Sequence, residues 1–196
     1  MTILLSALLM LTACSTLKST PPALYDLGPL HVAGTPPEPL NLPPISVAES
    51  QAQSWLNNQA MYFRLAYAND QQPRPYAGSR WTTAPTLLFS QRLKSRLAQA
   101  GGVVLSASDG ALNIPVLRLE ADDFTQTFSS ADASTAQVVV RASVFNGRTL
   151  LAQKTFSRQA PAPSADAAGG VKAFARASDA VIADMMAWLA QLPLKK

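Results

Sequence analysis

The sequence of 196 residues predicts an α+β fold in which two amphipathic helices pack on one face of a mixed, largely antiparallel sheet. Three observations support this prediction. Several segments alternate apolar and polar residues, as half-buried strands do. An Asn-Gly pair separates two β-rich segments, as in a tight hairpin. Two further stretches repeat apolar residues every three or four positions, which is the spacing of one helix face.

The N-terminus begins with an apolar leader. Residues 3–11 are apolar except for Ser6, and as a helix they would span about 14 Å, well short of the roughly 30 Å of a hydrocarbon core. We therefore predict a cleaved signal peptide over residues 1–13 and not a membrane span. The leader carries no Lys or Arg, which is unusual for such a signal and indicates a translation start upstream of Met1.

The leader ends in Leu11-Thr12-Ala13, and the single cysteine of the chain, Cys14, follows directly. This motif resembles the lipobox of bacterial lipoproteins. The resemblance implies that the lipoprotein signal peptidase recognises Leu11, Thr12 and Ala13 and cleaves before Cys14. Cys14 would then carry a diacylglyceryl group and an N-linked acyl chain such as palmitate, which together anchor a protein firmly. Ser15 resembles the signal for transfer to the outer membrane. The alternative is a small buried cysteine in an N-terminal helix.

A proline-rich tether is predicted for residues 14–41, followed by one folded domain over residues 42–193. Eight of the fifteen prolines lie in the segment from Ser15 to Pro44. They exclude a regular helix because proline lacks a backbone N–H and fixes φ. Within the tether, the segment from Tyr25 to Gly28 is interpreted as a short strand that docks on the domain.

The domain opens with two segments of alternating pattern, which we predict as strands. Their apolar positions are Ile45 and Val47 in the first, and Met61, Phe63 and Leu65 in the second. The segment from Tyr67 to Thr83 is predicted as a long loop, because prolines and a glycine interrupt it. These residues are Pro73, Pro75 and Gly78.

The first amphipathic helix is predicted to begin at Pro85 and to stop at Gly101-Gly102. Its apolar face is formed by residues at a spacing of four, and its polar residues are expected to lie elsewhere. The apolar residues are Phe89, Leu93 and Leu97, and the polar ones are Gln91, Arg92, Lys94 and Arg96.

Four further strands are predicted before the last helix. The first covers Val103 to Leu105, and the next starts with the alternating residues Leu112 and Ile114. A hairpin follows, in which residues 137–145 and 149–157 flank Asn146-Gly147. Its buried face is predicted to consist of Val138, Val140, Ala142 and Val144.

The last helix is predicted to follow Gly170 and to end at Pro193, after a loose connection over residues 159–169. Seven apolar residues fall on one of its sides, and Lys172, Arg176, Asp179 and Asp184 lie away from that side. The seven are Val171, Phe174, Val181, Ile182, Met185, Trp188 and Leu189.

The composition excludes several classes of function. One histidine, His31, and one cysteine cannot form a zinc site of four Cys or Cys and His ligands, a Cys-x-x-Cys pair or an internal disulfide. The net charge of +4 is spread along the chain, so no basic stripe for nucleic acid is present. His31 lies in the tether without an orienting partner, so we expect an exposed histidine and not a general base.

The most plausible contact surface in the sequence is an aromatic and basic cluster, since Tyr, Trp and Arg are the usual anchors of interfaces. It consists of Tyr67, Arg74, Tyr76, Arg80 and Trp81. We predict a partner or protomer interface at this cluster. The alternative is that Trp81 and Tyr76 cap the sheet and stack with Arg80.

Three other features are expected to be structural. Asp122 and Asp123 are adjacent, so in a strand they point to opposite faces and form no acid/base pair; a solvated strand end is expected. The glycine pairs 101–102 and 169–170 lack the context of a phosphate loop and are interpreted as helix punctuation. Met185 and Met186 are expected in the helix core and not on a lipid-adaptive surface.

Taken together, these segments resemble the ABC-type transport auxiliary lipoproteins, over nearly all of the chain after the leader. The resemblance is carried by residues 11–14, 25–29, 61–67, 74–81, 87–98, 151–156, 177–179 and 188–189. It implies a non-enzymatic lipoprotein on the periplasmic face of the outer membrane of a Gram-negative bacterium. Its partner would be the MCE-domain subunit of an ABC system that moves lipids or other hydrophobic molecules.

The resemblance also implies no cofactor beyond the lipid on Cys14, no metal and no nucleic acid, and it allows a homo-oligomer. Two alternatives stay open. The first is an envelope lipoprotein that regulates or assembles outer-membrane or cell-wall machinery. The second is a small periplasmic hydrolase that uses His31.

Overall fold

The computed structural model describes residues 20–30, 42–48 and 50–194, and this part of the chain forms a mixed sheet with two helices on one face. The predicted α+β architecture is confirmed. The strands are β1 (Ala23–Tyr25), β2 (Ile45–Val47), β3 (Gln51–Ala52), β4 (Ala60–Leu65), β5 (Asn69–Trp81), β6 (Val104–Ser106), β7 (Val116–Phe128), β8 (Ser134–Asn146) and β9 (Thr149–Pro161). The helices are α1 (Pro85–Gln99) and α2 (Ala167–Gln191), and a 3-10 turn covers Ala107–Asp109.

The long strand β7 organises the sheet. Along one edge it pairs antiparallel with β8, which in turn pairs antiparallel with β9. Along its other edge, β2, β3 and β4 pair parallel with it in succession from its start to its end. The sheet continues from β2 to β6, and from β4 to β5 and β1. We therefore call the two ends of the domain the Val116 end and the Phe128 end, after the first and last residues of β7.

The core lies between the sheet and the two helices. The buried face of β8 consists, as predicted, of Val138, Val140, Ala142 and Val144. Phe174 of α2 stacks on Phe124 of β7 with ring centroids 4.7 Å apart, and Trp81 of β5 meets these rings edge-on at 5.5 and 5.8 Å. This aromatic cluster joins two strands to α2 through large buried areas.

Two local predictions are confirmed. The β8–β9 hairpin is present, but Asn146 pairs with Thr149, so the two turn residues are Gly147 and Arg148 and not the predicted Asn146-Gly147 pair. Of these residues Gly147 takes a positive φ, of 56°. Helix α1 begins at Pro85 and ends just before Gly101, whose φ of 78° reverses the chain direction.

The segment predicted as a long loop, residues 67–83, is instead mostly strand β5, so that prediction is wrong. β5 forms a hairpin with β4 but carries extra residues. Between the pairs Ala60–Arg80 and Tyr62–Pro75, β5 advances five residues while β4 advances two. Proline and glycine are tolerated in this strand because a bulged or edge position needs no ladder donor.

Two expectations for β7 are also wrong. The strand begins at Val116, so Leu112 and Ile114 lie in the preceding segment. Asp122 and Asp123 were expected at a solvated strand end, but they lie in the middle of β7, where its pairing with β8 is irregular. At this point β7 carries one residue more than β8, which is a β-bulge.

Helix α2 begins at Ala167, earlier than predicted. The side chain of Asp166 caps it by accepting a hydrogen bond from the Gly169 N–H at 2.7 Å. Gly169 and Gly170 therefore lie inside the first turn and do not precede the helix. A Cβ on Gly170 would overlap with the side chain of Gln126, which explains why this turn carries glycine.

Candidate functional site

The N-terminal segment of the described chain docks on the domain. β1 pairs parallel with the end of β5, from Ala23 beside Ser79 to Tyr25 beside Trp81, and the Thr82 N–H donates to the Tyr25 carbonyl at 2.8 Å. A docked strand is present as expected, but it covers Ala23–Tyr25 and not Tyr25 to Gly28, so residues 26–28 follow the strand. The segment that leads toward the predicted lipid site is held by the domain itself.

A buried arginine holds this segment in place. The Arg92 guanidinium donates to both carboxylate oxygens of Asp179, at 2.8 and 2.7 Å, and to the carbonyls of Leu27 and Gly28, each at 3.0 Å. Arg92 lies on α1 and Asp179 on α2, so one side chain links both helices and the N-terminal segment. We call this arrangement the Arg92 clamp. Four charge-assisted contacts satisfy a guanidinium that water does not reach.

The Arg92 clamp was not predicted from the sequence, because Arg92 and Asp179 were expected away from the apolar faces of their helices. The Arg92 side chain is in fact only 5% exposed. One local signal existed. On a helix, Arg92 lies three residues after Phe89 and so borders the apolar face. Its partner Asp179, however, lies 87 residues further along the sequence, and no local pattern reveals such a pairing.

The electrostatics of the Arg92 clamp favour the ionised carboxylate. Burial acts to raise the pKa of Asp179, but the hydrogen bonds and charge of Arg92, with a further contribution from Arg96, lower it below its usual value. Asp179 therefore stays ionised at neutral pH and holds the arginine.

An open groove of about 580 Å³ runs between the N-terminal segment and α2. One wall is formed by residues 24–29, and the other includes Val171, Ala175 and the exposed cations Lys172 and Arg176. The Arg176 guanidinium also donates to the carbonyl of Pro161, at the end of β9. The groove therefore combines apolar walls with basic side chains at its opening.

The residues predicted as an interface are divided between core and surface. Trp81 is 1% exposed and belongs to the aromatic core cluster. Tyr76 and Arg80 are half-buried, and Arg80 donates to the Tyr76 carbonyl. Arg74 is half-buried and donates to the Gln72 side chain, while Tyr67 is exposed. Contact of the accessible members of this cluster with a partner or a protomer remains a prediction.

A second buried polar group stabilises the Phe128 end. Gln126 is fully buried; its amide oxygen accepts from the Tyr76 hydroxyl at 3.0 Å, and its amide nitrogen donates to Ser134 Oγ at 2.8 Å and the Asp166 carbonyl at 3.2 Å. Burial, and then the charge of Asp166, raise the pKa of the Tyr76 hydroxyl. Tyr76 therefore stays neutral, as a donor in a structural network.

Asp122 and Asp123 do not act together. Asp122 accepts a hydrogen bond from Arg141 at 3.2 Å. Burial raises the pKa of Asp123, against opposing hydrogen bonds and the charge of Arg64. The described ranges contain no cluster of three or more His, Cys, Asp or Glu arranged to hold a metal ion. Nor does any helix there have the length and apolar character of a membrane span.

The predicted signal-peptidase residues Leu11, Thr12 and Ala13, the predicted lipid site Cys14 and the tether histidine His31 lie outside the described residues. Their roles stay predictions from the sequence.

Comparison with known proteins points to one family. A family model described as "ABC-type transport auxiliary lipoprotein component" matches residues 25–186. A crystal structure of a protein from Xanthomonas campestris is 19% identical, with a TM-score of 0.71 over 85% of this chain and 94% of that chain. Another, of an uncharacterized protein, is 12% identical, with a TM-score of 0.67 over 87% and 99%. At these identities the likeness shows the fold alone. No curated protein matches the chain.

Proposed function

Because the chain belongs to the ABC-type transport auxiliary lipoprotein family, we propose that it is a lipid-anchored periplasmic component of an ABC system with an MCE-domain subunit. In this proposal the system moves lipids or other hydrophobic molecules across the envelope of a Gram-negative bacterium. The protein lies on the periplasmic face of the outer membrane and acts by docking and tethering. The family is one of transport accessory proteins and not a known enzyme family.

The observation that carries this proposal is the docked N-terminal segment. The family match begins at residue 25, so it includes the end of β1 and the carbonyls bound by the Arg92 clamp. A domain that binds its own membrane-proximal chain through a buried ion pair is built to keep a fixed relation to its anchor. This geometry suits a tether that positions a partner more than it suits a catalyst.

The proposed mechanism is an increase in effective concentration. A lipid on Cys14 confines the domain to one membrane, so a partner that reaches that membrane meets it in two dimensions. The accessible residues of the predicted interface, Tyr67, Arg74 and Arg80, are the proposed contacts for the MCE-domain subunit or for a second copy of the chain. No cofactor is proposed beyond the lipid on Cys14.

Affinity purification from detergent-solubilised membranes tests the proposal. We expect the wild-type protein to recover the MCE-domain subunit, and a Cys14→Ser variant to be released from the membrane fraction and to lose that recovery. Mass spectrometry of the N-terminal peptide should show the lipid on Cys14. Recovery of a peptidoglycan synthase or an outer-membrane β-barrel in place of the MCE-domain subunit would contradict the proposal and favour the assembly or regulatory alternative.

A further inference from the structure

We propose that the Phe128 end of the domain rests on the phospholipid surface of the membrane, with Lys172 and Arg176 facing the lipid headgroups. This inference rests on the proposed lipid attachment at Cys14. It adds a defined orientation, which the sequence and the family do not supply.

The first argument is the length of chain between the anchor and the domain. Thr20 is the first described residue and lies six positions after Cys14, with five residues between them. Six steps along the chain span at most about 20 Å in any conformation. If the tether extended to residue 42, as the sequence suggested, its reach would be roughly 90 to 100 Å. Docking of β1 thus keeps the domain close to the membrane.

The second argument is the direction of β1 in the sheet. β1 is parallel to β5, β5 is antiparallel to β4, and β4 is parallel to β7. β1 therefore runs against β7, and its first residue points toward the Phe128 end. The turn of the β8–β9 hairpin lies at the Val116 end. Since β8 has 13 residues, these two ends are separated by roughly 40 Å along the strands.

The third argument is the chemistry of the surface beside β1. Leu24 is 63% exposed, and it lines the same groove as Lys172 and Arg176. Asp26 also lines the groove, and its carboxylate accepts a hydrogen bond from the Gly28 N–H at 2.7 Å. Asp179 is neutralised by Arg92. Among the residues that line the groove, two exposed cations therefore face one carboxylate without a cationic partner, which suits contact with anionic headgroups.

Energy transfer between a labelled cysteine and the membrane tests this orientation. The mature lipoprotein is added to the outside of preformed vesicles of phosphatidylethanolamine and phosphatidylglycerol that carry an acceptor dye on the headgroups. The donor is attached at Ala68→Cys or at Arg148→Cys, which occupy exposed hairpin turns at the Phe128 end and the Val116 end respectively. We expect at least about twofold more transfer from position 68 than from position 148. Equal or reversed values would overturn the inference.

Two further variants test separately the short tether and the basic side chains. Inserting twenty Gly and Ser residues between Lys18 and Ser19 leaves the described domain unchanged but lengthens its tether, and we expect transfer from position 68 to fall toward that from position 148. A variant that carries both K172E and R176E should also lower the energy transfer from position 68, whereas the change K154E on β9 should not. If neither the insertion nor the paired change alters transfer, the inference is wrong.

Mass spectrometry of the same samples distinguishes this inference from the proposed function. If Cys14 carries no lipid, the anchoring proposal fails and the orientation fails with it. If Cys14 carries the lipid but the order of transfer is reversed, only the orientation is wrong, and the tethering proposal stands.

Discussion

Replacing Arg92 with alanine removes the side chain that joins α1, α2 and the N-terminal segment. Loss of one partner of a buried ion pair costs about 3–5 kcal/mol, because the other charge is left without compensation. Asp179 is one-third exposed, so water can partly rehydrate it and the cost falls toward the lower limit. The carbonyls of Leu27 and Gly28 also lose a charged donor. We therefore expect a loss of about 3 kcal/mol in the free energy of unfolding.

Urea and thermal denaturation of the mature protein measure this loss. For a protein of this size, about 3 kcal/mol lowers Tm by roughly 6–12 °C. Because the pKa of Asp179 is lowered in the folded state, its contribution is present above the unfolded pKa of about 3.9 and is lost as the pH falls through the folded pKa. The difference between wild type and Arg92→Ala should therefore shrink below about pH 4.

Chymotrypsin provides a local readout of the same variant. Tyr25 is half-buried in β1 and Leu27 is buried, so cleavage after them should be slow in the wild type and fast in Arg92→Ala under native conditions. The matched control is Arg158→Ala, which breaks the exposed ion pair with Asp184. If Arg92→Ala destabilised the protein no more than this control, and Tyr25 stayed protected, the Arg92 clamp would not hold the segment.

Three further predictions concern the core and the strands. Trp81→Ala should cost about 3–5 kcal/mol in the free energy of unfolding, and an unchanged urea midpoint would contradict its place in the core. Gly170→Ala should cost about 1–3 kcal/mol because its Cβ meets the Gln126 side chain, and a Gln126→Ala background should relieve part of that cost in a double-mutant cycle. Asp123→Asn should raise stability at pH 7, because burial raises the pKa of Asp123 and the folded state disfavours its carboxylate; this gain should vanish below about pH 3.9, where both states are protonated.

The elements predicted best from the sequence are those whose causes are local. The β8–β9 hairpin was correct because a glycine at positive φ, Gly147, allows a tight turn within a few residues. Helix α1 was correct because proline at its start, apolar residues at a spacing of four and a glycine after its end act within one stretch of chain.

The elements predicted wrongly are those whose outcome depends on a distant partner. Prolines in residues 67–83 suggested a loop, but β4 and β1 provide the pairing that makes β5 a strand. Gly170 suggested a helix boundary, but contact with Gln126 places it inside α2. In both cases the local preference is weak compared with the hydrogen bonds and packing that the partner supplies.

The sequence by itself determined the fold class, helix α1 and the main hairpin, since each of these depends on residue periodicity or backbone preference, and the lipid site at Cys14 stays a prediction from a contiguous motif. Only the tertiary structure decided that Arg92 is buried against Asp179 and binds the carbonyls of Leu27 and Gly28. A charged side chain is placed inside a protein only when its partners converge from separate elements. That convergence is a property of the folded chain, and the sequence shows only that Arg92 borders the apolar face of α1.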